Sequence, residues 1–229
     1  MKIQLDFWAV LAEWPILLLG VGWTLALTIA AVLVGTSLGI ACAWVRARGF
    51  GDALAPAWLK AVVGGYVEAI RNTPFIIQLF FIFFGLPAMG LKLSAESASF
   101  LAMTINLGAY ATEIIRAGLE STPKGQIEAS ESLALNRWQI FTRVVLPPAL
   151  KKIWPSMVSQ SIIVMLGSSV CGQISIQELS YAADLIQSRN FRSFEAFIII
   201  GGIYLMLSIF LRAALNWAGE KLIFGGRPS

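Results

Sequence analysis

Glu68 and Arg71, three residues apart and followed by Asn72, Thr73 and Pro74, are the charged and polar groups set deepest in an apolar stretch of this sequence. An acid and a base at that spacing share one helix face, and pairing lowers the cost of burying an isolated charge, about 2.5 to 3.5 kcal/mol at the centre of a bilayer. Pro74 removes a backbone donor and disrupts the bond to the carbonyl of Ile70, so a kink or break is expected beside Asn72 and Thr73. A broken helix of this kind presents polar groups to a small zwitterion. The competing reading is a structural pair at an interface, with a packing kink. Glu113 and Arg116 repeat the spacing, there as an anchor at a helix end. Asn106, Gln160 and Gln173 stand within apolar runs, where they hydrogen-bond either between helices or to a solute.

Other chemistry is argued against. Histidine is absent, which removes the commonest general base and metal ligand and with it the usual hydrolytic and zinc sites. Cys42 and Cys171 lie in apolar runs at no ligand spacing and read as packing thiols. There is no G-x-x-x-x-G-K-[ST] loop, so a chain that works by ATP must use the ATPase of a partner. The net charge of +4 comes without a basic stripe interleaved with aromatics, which argues against nucleic acid.

The elements that must hold these residues are membrane spans. Hydrophobic residues make up 57% of the chain and charged ones 13%, about half the charged share of soluble domains, and mean hydropathy is +0.75. A hydrocarbon core needs about 20 apolar residues per helix. Trp14 to Val45 is a charge-free run of 32 residues, too long for a signal-peptide core. Further runs cover Ala57 to Leu86, Glu96 to Glu113, Ile153 to Gln177, and Glu195 to Arg212. The expectation is an all-α polytopic membrane protein of about five helices, forming a single domain over residues 1–229. Residues 1–13, with Ile3, Leu5, Phe7, Trp8, Val10 and Leu11 among Asp6 and Glu13, read as an interfacial segment. Arg46, Arg48, Gly49, Gly51, Asp52 and Pro56 read as a short polar turn.

The positive charges choose between two topologies. With the first loop cytoplasmic, the inside holds Arg46, Arg48, Lys60, Arg116, Lys124, Arg137, Arg143, Lys151, Lys152, Arg212, Lys221 and Arg227. The outside then holds Lys2, Lys92, Arg189 and Arg192, with Arg71 in or near the membrane. The N-terminus is expected outside and the C-terminus in the cytoplasm.

Residues 117–152 form the long cytoplasmic stretch between helices three and four, and their apolar positions are helical: Ile127, Leu133 and Leu135, then Trp138, Phe141, Val144 and Val145. Thr122 before Pro123 predicts an N-cap with proline at the first helical position. Asn136 and Gln139 predict a capping box, with a turn near Leu135 to Arg137 between two short helices. Pro147 and Pro148 are expected to end the second.

EASESLALNRWQIFTRVVLP at 128 to 147 resembles the EAA loop of bacterial ABC importer membrane subunits. Glu128, Ala129, Leu146 and Pro147 match that pattern; Ser130, Ala134 and Val144 replace its Ala, Gly and Ile, and Ala134 adopts left-handed geometry less readily than glycine. EAIRNTPFIIQLFFIFFGLP at 68 to 87, YATEIIRAGL at 110 to 119 and RSFEAF at 192 to 197 are similar to the polar amino acid uptake branch, and the likeness spans residues 16–222. Leu166, Gly167, Ser168 and Ser169 depart from it where relatives often carry a polar or charged residue.

The resemblance implies a membrane-spanning permease subunit of the bacterial cytoplasmic (inner) membrane that is not itself an enzyme. It would form the path for a polar amino acid delivered by an extracytoplasmic solute-binding protein. Its other partners would be a second permease, identical or paralogous, and two ABC ATPase subunits; ATP and Mg2+ would sit on those partners, with no cofactor in this chain. Glu128, Ala129, Leu133 and Ala134 would dock the coupling helix on the ATPase. Glu68, Arg71, Asn72 and Thr73 are the candidates for the translocation path. The rival reading is a self-sufficient channel or secondary carrier that uses the intramembrane charges without an ATPase. Gly35, Gly39, Gly201 and Gly202 would allow close helix contact, within the chain or between chains.

Overall fold

The computed structural model describes residues 5–46 and 55–223. Lys2, Ile3, Arg48, Gly49, Gly51, Asp52 and Arg227 of the sequence reading lie outside the described residues. In chain order the described helices are α1 (Trp8–Leu11), α2 (Trp14–Arg46), α3 (Ala57–Arg71), α4 (Phe75–Ala88), α5 (Ala95–Glu120), α6 (Lys124–Ser132), α7 (Arg137–Ile174), α8 (Leu179–Asn190) and α9 (Ser193–Lys221). Among the described residues there is no strand. By length and hydropathy α2, α5, α7 and α9 suffice to cross a bilayer. The helices α3 and α4 are long and apolar enough only when taken together, which makes up to five spans, and the chain turns through 113° between them. The kink expected at Pro74 is therefore a full break.

Close approach of α2 to α5 builds the centre. A Cβ on Gly39 would lie 2.5 Å from the Cβ of Ala111, and one on Gly35 3.0 Å from that of Leu107. Leu27, Ala31, Ala98, Ala102, Met103 and Leu107 bury the rest of this contact. Gly201 and Gly202 of α9 have nothing within 4 Å, so the four glycines divide: two pack inside the chain and two lie on a free face. Tyr66 of α3 donates to the carbonyl of Ile105 at 2.7 Å, which fastens the helix before the break to the same core.

At the opposite end, α1 buries Val10 in a cluster with Leu17, Ala196 and Ile200, and the Asp6 amide donates to Glu195 at 3.0 Å. The helix α8, which hydropathy does not mark, is capped by Glu178. That carboxylate accepts from the Tyr181 amide at 2.9 Å and from the Tyr204 hydroxyl at 2.5 Å, with no exposed surface. Burial pushes it above the ordinary carboxyl range, and the hydrogen bonds from Tyr204 and Tyr181 oppose that shift. A left-handed turn at Ser175, φ 67°, brings Glu178 into this position.

Two expectations for the loop after α5 fail locally. Pro123 itself occupies the N-cap, extended at φ −59° and ψ 134°, and Thr122 is not the cap; the helix begins one residue later, where the missing proline N–H is equally harmless. Pro147 and Pro148 do not end a helix. They follow a π-helical turn at Phe141–Val145 and occupy the first turn of a new α segment, Leu146–Gly167. Proline is tolerated there because those N–H groups need no partner. The second short helix is thereby continuous with the fourth span, making α7 a rod of 38 residues. The expected capping box is present: the Gln139 amide donates to Asn136 Oδ1 and the Asn136 amide to Gln139 Oε1, both at 2.9 Å.

The α2 to α5 contact sets a testable limit. Gly39→Ala should destabilise the purified protein by about 1–3 kcal/mol through overpacking, whereas Gly201→Ala and Gly202→Ala should be neutral or stabilise it by up to about 1 kcal/mol through helix propensity. Thermal midpoints in one detergent compare them; equal midpoints for positions 39 and 201 would contradict the packing described.

Candidate functional site

The break is assembled from its own polar side chains. Pro74 is extended, at φ −62° and ψ 140°, and Asn72 turns back so that its Nδ2 donates to the Glu68 carbonyl at 2.8 Å and to Glu68 Oε1 at 3.3 Å. Thr73 Oγ1 donates to the Ala69 carbonyl at 2.8 Å. These bonds satisfy carbonyls of the last turn of α3, which its C-terminus leaves without helical donors. Glu68, Arg71, Asn72 and Thr73 nevertheless remain exposed on the surface of the chain.

The expected Glu68–Arg71 pair does not form. Arg71 reaches to α5, where its Nη1 lies 3.9 Å from Glu113 Oε2 and its guanidinium 5.6 Å from the centre of the Tyr110 ring. Glu113 is the stronger attractor because it is only 17% exposed and screened less than Glu68. It also binds Arg46 Nη1 at 2.5 Å and Arg116 Nη2 at 2.7 Å. Arg116 continues to Glu120 at 2.6 Å. Glu113–Arg116 is thus the i,i+3 pair that the sequence spacing offers, and it belongs to a network joining α2, α3 and α5. Beside it an open cleft of about 430 Å³ is lined by Arg71, Glu113, Gly118, Lys152 and Ser156 among others. A second cleft, about 470 Å³, lies among Leu33, Trp44, Phe141 and Met157; its walls are mostly apolar and carry no charged side chain.

Sequence reasoning overlooked Gln78. One turn past Pro74 and 8% exposed, it donates to the Ile70 carbonyl at 2.7 Å and accepts from Asn106 at 2.9 Å. An amide four residues after a helix-breaking proline was the available signal.

Glu128, Ala129, Leu133 and Ala134 come together at the end of α6, and all four are exposed. Among the described residues the Glu128 carboxylate has no hydrogen-bond or ion-pair partner. Leu133 and Trp138 are 76% and 68% exposed, large apolar side chains on either side of the turn, whereas Ile140 and Val145 behind them are buried. Ala134 does enter the left-handed region, at φ 55°. At the departure from the amino acid branch, α7 tightens into a 3₁₀ segment, Ser168–Ile174. Ser168 is buried and donates to the Met165 carbonyl at 2.7 Å; Ser169 is half-buried and donates to that of Leu166 at the same distance.

Residues 35–223, which take in the end of α2, the later spans, the break and the exposed turn, match the family described as "Binding-protein-dependent transport system inner membrane component". The chain belongs to that family. It is therefore a membrane-spanning permease component of a binding-protein-dependent transport system, and the family is one of transport subunits, not of enzymes. The probable glutamine ABC transporter permease protein GlnM of Bacillus subtilis (strain 168) is 34% identical over 199 residues, covering 87% of this chain and 89% of that protein. The glutamine transport system permease protein GlnP of Escherichia coli (strain K12) is 32% identical, covering 93% and 96%. The crystal structure of an amino acid ABC transporter with histidines superposes with a TM-score of 0.86 at 32% identity, covering 96% of this chain and 100% of that one. An inward-facing structure of the MetNI methionine ABC transporter shares the fold, with a TM-score of 0.67 at 24% identity, covering 93% and 97%.

Two substitutions test this geometry. Glu113→Gln leaves Arg46, Arg71 and Arg116 facing a neutral group and should lower stability by about 1.5–3 kcal/mol, while Glu68→Gln should cost under about 1 kcal/mol; similar thermal midpoints for the two would argue against Glu113 as the centre of the network. Ala134→Gly should stabilise the turn by about 0.5–1 kcal/mol, the left-handed penalty of alanine less the chain entropy of glycine. Slower proteolysis between α6 and α7 is the expected readout, and faster cleavage would count against a strained Ala134.

Proposed function

We propose that the permease carries a polar amino acid, delivered by an extracytoplasmic solute-binding protein, across the bacterial cytoplasmic membrane. It works with a second permease copy or paralogue and two ATPase subunits that hold ATP and Mg2+. The observation that carries this reading is the break at Pro74. An acid, a base, an amide and a hydroxyl stand exposed there in a chain otherwise built to face hydrocarbon, and charged groups are strongly disfavoured against lipid. In this proposal they face water or the solute and meet the ammonium and carboxylate of a zwitterion. The permeases named above for glutamine and the crystal structure with histidines support an amino acid as the cargo.

Glu128, Ala129, Leu133 and Ala134 are the contact for the ATPase in this proposal. Leu133 and Trp138 provide apolar area for a partner to cover, and Glu128 provides an unpaired charge beside it. The proposed orientation has the N-terminus outside and the C-terminus in the cytoplasm. The ends of the helices fit it: Arg46, Arg71 and Arg116 gather at one end of the molecule around Glu113, while Arg189 meets Glu13 at 3.8 Å where α8 and α2 approach.

The test uses the permease reconstituted with its ATPase and binding protein in vesicles. Glu128→Lys and Ala134→Trp should reduce amino acid uptake at least about tenfold, because like charge or bulk is set into a close-packed interface, with membrane insertion and solute capture unchanged. Asn72→Cys should be protected from a polar thiol reagent when loaded binding protein and ATP are supplied. Full uptake by both loop variants, or uptake by the permease without any ATPase, would favour a self-sufficient carrier.

A further inference from the structure

Three residues of α5, Asn106, Tyr110 and Glu113, follow one another at four and three positions and so share one face of that helix. All three contact the break. Asn106 Nδ2 donates to Gln78 Oε1 at 2.9 Å, the Tyr110 ring lies under Arg71, and Glu113 faces Arg71 at 3.9 Å. The outer contact grips the chain just after Pro74, and the other two grip it just before.

Gln78 completes the grip. Pro74 offers no N–H to the Ile70 carbonyl, and an unsatisfied carbonyl is not tolerated in an apolar surround. Gln78 Nε2 lies 2.7 Å from that carbonyl, 3.0 Å from the Thr73 carbonyl and 2.9 Å from Thr73 Oγ1. One amide thus closes both strands of the break, and its oxygen is held from α5. A leucine would fill the same volume and satisfy none of these groups. The C-terminal end of α5 in turn runs through Ser121 to Pro123 into α6, which carries Glu128 and Ala129.

We propose that Asn106, Tyr110 and Glu113 of α5 act with Gln78 and Arg71 as a positioning clamp that ties the direction of the break to movement of the exposed α6 turn. Gln78 and Asn106 do not meet the solute; they set where Glu68, Asn72 and Thr73 stand. The proposal rests on the reading that the break lines the path, and it adds the element through which the ATPase surface reaches it. A shift of α5 carries both grips together, so the break turns as a unit and does not unravel.

The experiment uses the full transporter in vesicles, with Asn72→Cys labelled by a polar thiol reagent; Cys42 and Cys171 are buried, and the chain that keeps Asn72 serves as the blank. In the Asn72→Cys parent, the labelling rate at position 72 should differ between nucleotide-free and ATP-analogue-bound states. Gln78→Leu and Asn106→Leu should each abolish that difference and lower uptake by about tenfold to a hundredfold, the scale of a misplaced reacting group. Combining them should be no worse than the more severe single change, because partners in one contact are not additive. Retention of the nucleotide-dependent labelling in Gln78→Leu, or uptake losses that multiply in the double variant, would overturn the clamp. If Gln78→Leu does not reach the membrane, Gln78→Met is unbranched and of similar size, and it has no donor for the Ile70 carbonyl; normal labelling differences there overturn it equally. Failure of solute to protect the thiol at position 72 in the parent would remove the path reading alone, since the nucleotide dependence of labelling is read without solute.

Discussion

A bilayer offers no hydrogen bonds, so each backbone or charged group that leaves a regular helix must find its partner inside the protein. The polar architecture of this permease follows from that constraint. Where Pro74 interrupts the second span, Asn72, Thr73 and Gln78 return donors to the Glu68, Ala69 and Ile70 carbonyls. Where three arginines gather at one end of the helices, Glu113 collects them. Where the chain leaves the fourth span, Glu178 caps α8 and takes the Tyr204 hydroxyl. The irregular segments are held by specific side chains and so keep defined positions.

The same constraint separates two kinds of exposed residue. Apolar side chains on α9, such as Leu205, Ile209 and Phe210, suit lipid or a neighbouring apolar helix. Glu68, Arg71, Asn72 and Thr73 do not, and their exposure in the single chain is most simply explained by water or solute at that place. Leu133 and Trp138 present the opposite case. They are large apolar groups exposed on a polar loop.

Continuity of α7 joins these regions mechanically. From the capping box beside the exposed turn to the start of the 3₁₀ segment at Ser168, α7 extends roughly 45 Å at 1.5 Å per residue. The π turn at Phe141–Val145 lets two prolines lie within it without ending it. The helix α5 ends at the same loop, so two long helices adjoin the exposed turn.

The sequence alone determined the existence of the spans and of a folded loop, because each rests on local pattern: charge-free runs of spanning length and a capping box within four residues; the family was legible in the motif segments at 68 to 87, 110 to 119 and 128 to 147. Tertiary structure decided the pairings. Spacing favoured Glu68–Arg71, but a half-buried Glu113 on another helix is the better partner for Arg71, and its position relative to the break is not written in either segment. Gln78 was legible only as an amide four residues after a proline; its partners, the Ile70 carbonyl and Asn106, 28 residues away, were not. The same holds for Pro147 and Pro148, which local rules read as a stop and the preceding π turn converts into a start. Local propensity acts within a turn or two of the chain, whereas the choice among hydrogen-bond partners in a medium without water is made between helices that only folding brings together.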